Sequence, residues 1–227
     1  GLLYFTNYER LEYEPVLDER MCVYTYLEVD PRSVPADFKE SPEYQILISR
    51  ALYVDRYGTD YRYDQAFILE QMQNSLYRRW AHQGTYYGFT PYSNITVTMG
   101  SFDCDDHKLS EGFLVHRMFQ TRYFLMAVIA LFYRATLLDL SERTALASKH
   151  LYRDYHDDRE FREDNIDAAQ TLLLEFLHFA NYWHFDELAN KDEEQDHFTM
   201  QCRAYRIDAS FEEVENSIRR LNASLNE

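Results

Sequence analysis

The clearest pattern in the chain lies at its C-terminal end. Met200, Ala204, Ile207, Phe211, Val214, Ile218, Leu221 and Leu225 are apolar, and the steps between them alternate between four and three. A repeat of about 3.5 residues is the seam of a helix that packs along other helices. Between these positions stand Gln201, Arg203, Arg206, Asp208, Glu212, Glu213, Glu215, Arg219 and Arg220. A stripe this narrow needs a partner along its length. The pattern predicts one helix from about Glu193 to Leu225, still in phase at Glu227, with no Gly or Pro to stop it. We therefore expect a stalk-like helix cut off before the element it leads to.

Upstream the period changes. Leu2 to Leu27 alternates in short runs, with Leu3, Phe5 and Tyr13, then Cys22, Tyr24 and Tyr26, and predicts strands. Pro31, Pro35 and Pro42 mark a loop. Glu43 to Tyr57 predicts a helix through Ile46, Leu47, Ala51 and Val54, and Tyr63 to His82 a second through Phe67, Ile68, Met72, Leu76 and Trp80. Gly84 to Met99 reads as a turn followed by a strand, because Asn94-Ile-Thr-Val-Thr-Met alternates β-branched residues. Leu109 to Tyr155 and Asn165 to Ala189 predict long helices. The expected fold class is α+β: a mixed α/β head over 1–108, then long antiparallel helices over 109–227 that end in the heptad helix.

The chain has 227 residues, 46% of them hydrophobic, with only 6 Gly and 5 Pro, which describes a packed globular protein. Its 20 Tyr suit a core of rings whose hydroxyls reach water. The formal net charge of −16 argues against nucleic acid and against anionic lipid headgroups as partners. The excess is uneven: 19 acidic against 7 basic residues lie between Asp154 and Glu227. Cations or a basic segment are the natural counterpart. Cys22, Cys104 and Cys202 lie far apart, which fits a reducing compartment and no zinc site. The longest apolar run, Tyr123 to Tyr133, is about half of the ~20 residues of a membrane span and predicts a buried helix.

Three groups of residues offer chemistry. Asp103, Asp105, Asp106 and His107 cluster in a loop without the spacing of a calcium hand. Glu175/His178 and Glu194/His197 repeat the Glu-x-x-His pairs of di-iron bundles, but the preceding helix offers no inward Glu to complete such a site. No phosphate loop, dinucleotide fingerprint, nucleophile elbow or zinc-protease motif occurs, so nothing points to an enzyme. The acidic run Asp186, Glu187, Asp192, Glu193, Glu194 and Asp196 reads either as a solvated surface or as a carboxylate-lined divalent-cation site. Carboxylates spaced along one helix cannot complete an octahedral Mg²⁺ shell, so water or a neighbouring chain would supply the rest.

Three stretches carry a family resemblance. They are Arg79-Trp80-Ala-His-Gln-Gly84-Thr-Tyr-Tyr-Gly88-Phe-Thr-Pro-Tyr92-Ser93, then Gln120-Thr-Arg-Tyr123-Phe through Ser141, then Phe179-Ala-Asn181 through Phe185 with Glu187 and Glu194-Gln195. In this order they resemble the CorA-like divalent cation transporters of bacteria, over roughly residues 77 to 226. The resemblance implies a cytoplasmic head of mixed sheet and helices, and a stalk helix running into a first membrane span. It further implies a homopentameric Mg²⁺/Co²⁺ channel at the inner membrane, gated by divalent ions bound between cytoplasmic domains. The family's Gly-Met-Asn pore signature and both spans are missing from this sequence, so the chain would be a regulatory fragment. The resemblance fixes no ligand. Asp186, Glu187, Asp192 and Asp196 are candidates by charge and by their place ahead of the heptad helix. The competing expectation is a soluble scaffold whose 200–225 seam binds another protein.

Overall fold

The computed structural model describes residues 22–99, 111–158, 161–185 and 187–225. The strands expected over residues 2–21, the loop cluster Asp103, Asp105, Asp106 and His107, and Cys104 lie outside them. Four strands form one sheet in the order β1-β4-β3-β2: β1 (Val23–Val29), β2 (Leu76–Tyr77), β3 (Tyr86–Thr90) and β4 (Ser93–Met99). β1 runs parallel to β4, whereas β3 is antiparallel to both β4 and β2.

Alternation along β4 sends Ile95 and Val97 to one face, where they meet Tyr44, Ile48 and Leu52 of α1 (Pro42–Leu52) and Ile68 and Met72 of α2 (Gln65–Ser75). The Ser41 hydroxyl accepts from the Tyr44 amide and caps α1, and Asp64 caps α2 at the Phe67 amide. Two sequence expectations change here. Residues 84–99 form a hairpin rather than a turn and one strand: Tyr87 and Phe89 face away from α1, while Gly88 faces it. A Cβ at Gly88 would lie 2.8 to 2.9 Å from Leu52, Ile95 and Leu76 side-chain atoms, so the closeness of helix and sheet requires glycine there. The helix expected to His82 ends at Ser75, because Leu76 and Tyr77 pair with Gly88 and Tyr87 as an edge strand.

The other face of the sheet is covered by helices. α3 (Glu111–Met118), a π-helical turn (Phe119–Tyr123) and α4 (Phe124–Asp158) run on without a break. α5 (Glu163–His178) ends in a second π turn (Phe179–Trp183). The buried Asp154 closes the α4–α5 connection: its carboxylate accepts from the Asn165 amide (2.6 Å) and from the Arg162 backbone N–H (3.1 Å). These hydrogen bonds hold the carboxyl below its usual range.

The continuous heptad helix is corrected. Arg206 adopts a left-handed conformation (φ 57°), and its amide donates to the Arg203 carbonyl. The helix therefore divides into α6 (Asp192–Tyr205) and α7 (Ile207–Ser224). α6 lies on β3, and α7 lies against α4 and α5, where Val214, Ile218 and Leu221 are buried. The seam thus has its partners inside the same chain. It is a bundle helix, not a free stalk. The run Tyr123–Tyr133 is corrected as well. Tyr123, Met126, Ala127, Ala130 and Tyr133 are buried, but Phe124, Leu125, Val128, Leu131 and Phe132 are exposed. Over Leu114–Asp157 the helix is long and apolar enough to cross a membrane by length and composition alone.

Candidate functional site

The first turn of α6 collects Asp192, Glu193 and Glu194, where the free N–H groups of a helix start favour carboxylates. Two of the three are engaged. The buried Glu194 pairs with Arg122, and Glu193 accepts from the Tyr123 hydroxyl at 2.9 Å. Both partners sit in the π turn that leads into α4, so the start of α6 is fixed to the start of α4. One turn on, Asp196 accepts from the Tyr77 hydroxyl of β2 at 3.0 Å.

Of the four predicted cation ligands, Glu187, Asp192 and Asp196 lie at the surface, and Asp186 lies outside the described residues. Among the described residues, no three His, Cys, Asp or Glu side chains come together as a ligand set. The Glu-x-x-His pairs do not act as pairs. Glu175 is held by Arg143 at 2.6 Å, and His178 stacks on Tyr182. Glu194 turns to Arg122, and His197 turns into the core.

The spacing singles out His197 only as half of a Glu-x-x-His pair and says nothing of its surroundings. Its ring is fully buried, lies flat on Tyr123 (centroids 4.0 Å apart, planes at 9°) and meets Tyr87 and Phe89 edge-on. Neither ring nitrogen has a hydrogen-bond partner. Burial pushes its pKa down to about 3, so the imidazole is neutral. Strand and helix periodicity bring other polar groups to this layer. Asn94 and Thr96 of β4 sit in register with Phe89 and Tyr87, on the face opposite Ile95 and Val97. Their side-chain polar atoms are buried and unpaired. Gln201, one turn after His197, is buried beside the Tyr205 hydroxyl, which in turn contacts the Cys22 sulfur at 3.1 Å. The sequence signal was a helical i, i+4 pair of polar residues on the inward side of α6, matched by two alternate polar residues in β4.

Burial raises both described thiols, Cys202 to about 12, so neither is a thiolate near neutral pH. The Tyr87 and Tyr123 hydroxyls are likewise pushed up by burial. These are packed, neutral groups. The charge of the region lies at the outer end of α6. No family model, curated protein or solved structure matches the chain.

Proposed function

We propose that this chain is the cytoplasmic, divalent-cation-sensing domain of a CorA-like Mg²⁺ transporter, without catalytic activity of its own. The observation that carries the reading is the run of exposed carboxylates along the chain, Glu187 ahead of α6 and Asp192 and Asp196 in its first two turns, in an acidic chain of net charge −16. The order of elements supports it: a mixed sheet covered on both faces, followed by long helices. The three carboxylates do not form a complete ligand set in one chain, so Mg²⁺ would be held with water and with a neighbouring subunit of a homo-oligomer. Cation would then screen repulsion between acidic subunits, and its removal would loosen them. The reading puts this domain at the cytoplasmic face of the inner membrane. The scaffold reading depended on a free 200–225 seam, and α4 and α5 already occupy the α7 part of that seam.

The test is a thermal melt in millimolar Mg²⁺ against NaCl at matched ionic strength. A ligand at ten times its Kd stabilises by about 1.4 kcal/mol, or about 3–6 °C for a chain of this size. We expect Mg²⁺ to give that shift and Asp192→Asn/Asp196→Asn to remove it. Equal melts in the two salts would refute the reading.

A further inference from the structure

The corner after α1 breaks two local rules at once. The helix ends in a reversed turn: the Val54 amide donates to the Ala51 carbonyl (3.2 Å) and the Asp55 amide to the Arg50 carbonyl (2.8 Å). Such turns normally carry glycine at the left-handed position and an apolar residue after it. Here the β-branched Val54 takes the left-handed position (φ 54°), and Asp55 follows it. Strain of this kind persists only where the surroundings hold it, and it gathers at binding sites.

Asp55 is a buried acid, its side chain only 5% exposed. One carboxylate oxygen pairs with Arg62, which is about half exposed, so solvent screens that pair. The other oxygen is buried and has no hydrogen-bond partner among the described residues. An acceptor without a donor is costly in a protein interior. Arg50 is not its counter-ion. Its Nε donates to the Asp60 carbonyl (3.0 Å), its Nη1 to the Arg56 carbonyl, and its Nη2 to the Asp60 carboxylate (2.9 Å). The loop lies directly on this guanidinium: a Cβ at Gly58 would come within 2.4 Å of it.

Asp55 lines a cavity of about 470 Å³ whose apolar walls are Leu27 of β1, Phe38, and Ile46, Leu47 and Ala51 of α1. Small-molecule sites have this size and this pairing of apolar walls with a few placed polar groups. Glu43 is a second acid in the lining, and its one base, Arg50, is already balanced by Asp60. An anion would therefore meet carboxylates, whereas a cation with an apolar body meets a counter-charge and a matching wall. We propose that this cavity is a binding site for a small organic ammonium, its apolar chain against Leu47 and Ala51 and its charged head at Asp55. The proposal is independent of the cation reading, because α6 and its carboxylates belong to the opposite face of the sheet.

Amide chemical shifts of the whole chain test it, in titrations without divalent ions and at matched ionic strength. The probes are n-hexylamine, hexanol and hexanoate, which share a chain length and differ in the head group. We expect hexylammonium to give saturable shifts at Ala51 and residues 55–59, hexanol to bind about tenfold more weakly, and hexanoate more weakly still. Asp55→Asn keeps the shape and removes the charge, so it should bring hexylammonium down to the level of hexanol. Leu47→Trp, which fills the cavity, should weaken both. Where Asp55→Asn lowers stability, adding Val54→Gly relieves the left-handed turn and restores the fold for the comparison. The absence of saturable shifts, equal binding of amine and alcohol, or an amine indifferent to Asp55→Asn or to Leu47→Trp would overturn the proposal. So would shifts that fall at Asp192 and Asp196 instead, because the amine would then be pairing with surface carboxylates.

Discussion

Lowering the pH should cost this protein stability through one buried side chain. His197 ionises at about 3 in the folded state, against an ordinary value of 6.5. The unfolded chain therefore takes up a proton near 6.5 that the native chain refuses. The sign follows: the His197 contribution is fully present above 6.5 and is lost progressively as pH falls toward about 3. At about pH 5 this uptake lowers the stability of the folded state by roughly 2 kcal/mol, at 1.36 kcal/mol per unit. For a chain of this length that is about 4–8 °C of melting temperature. The perturbation is His197→Phe, which keeps a ring on Tyr123 and edge contacts to Tyr87 and Phe89 but cannot take a proton. Carboxylates and the other histidines titrate alike in both proteins, so the difference between their stability curves isolates His197. Urea titrations at about pH 7.5 and about pH 5 should show the parent losing about 2 kcal/mol more than the variant. Parallel losses would mean that the imidazole reaches water or a proton acceptor in the native state, and the burial argument would fail.

Two further outcomes follow from packing and charge. Gly88→Ala should destabilise by about 1–3 kcal/mol in urea, because its Cβ meets three buried core side chains at once, those of Leu52, Ile95 and Leu76; a neutral substitution would place α1 farther from the sheet. Arg122→Ala should cost about 1–3 kcal/mol by leaving the Glu194 carboxylate buried and unpaired, whereas Arg122→Ala/Glu194→Gln should recover most of it; a double-mutant cycle without coupling would remove the ion pair from the account.

The fold was legible where one period ran without competition. α1, α4 and α5 form where apolar spacing predicts helices, and β1 and β4 where alternation predicts strands, although the buried faces differ: α1 buries Tyr44, Ile48 and Leu52 rather than Leu47, Ala51 and Val54, and α5 buries Leu172 and Phe176 rather than Leu173 and Leu177. The failures have separate physical causes. Leu76 continues the helical spacing of Met72, so the pattern runs past the point where sheet pairing to Gly88 takes over. The heptad seam across 200–225 is real as a set of core positions, yet it passes through Arg206 without a break in period. The break is carried by a left-handed residue that is neither Gly nor Asn, and no spacing rule sees it. A narrow stripe implied a partner helix but not whose. α4 and α5 supply it.

The candidate site was legible as charge and illegible as environment. The acidic residues around α6 could be read from composition, but which of them are spent internally depends on Tyr77, Arg122 and Tyr123, residues from distant parts of the chain. His197 is the same case on the inner side: its neutrality is set by three rings brought by β3 and the π turn. The two sides of α6 are joined mechanically. Glu193 and Glu194 hold Tyr123 and Arg122, the two residues immediately before Phe124, where the outward apolar face of α4 begins. The first turn of α6 is therefore tied to the edge of that face by an ion pair and a hydrogen bond rather than only through the body of the core.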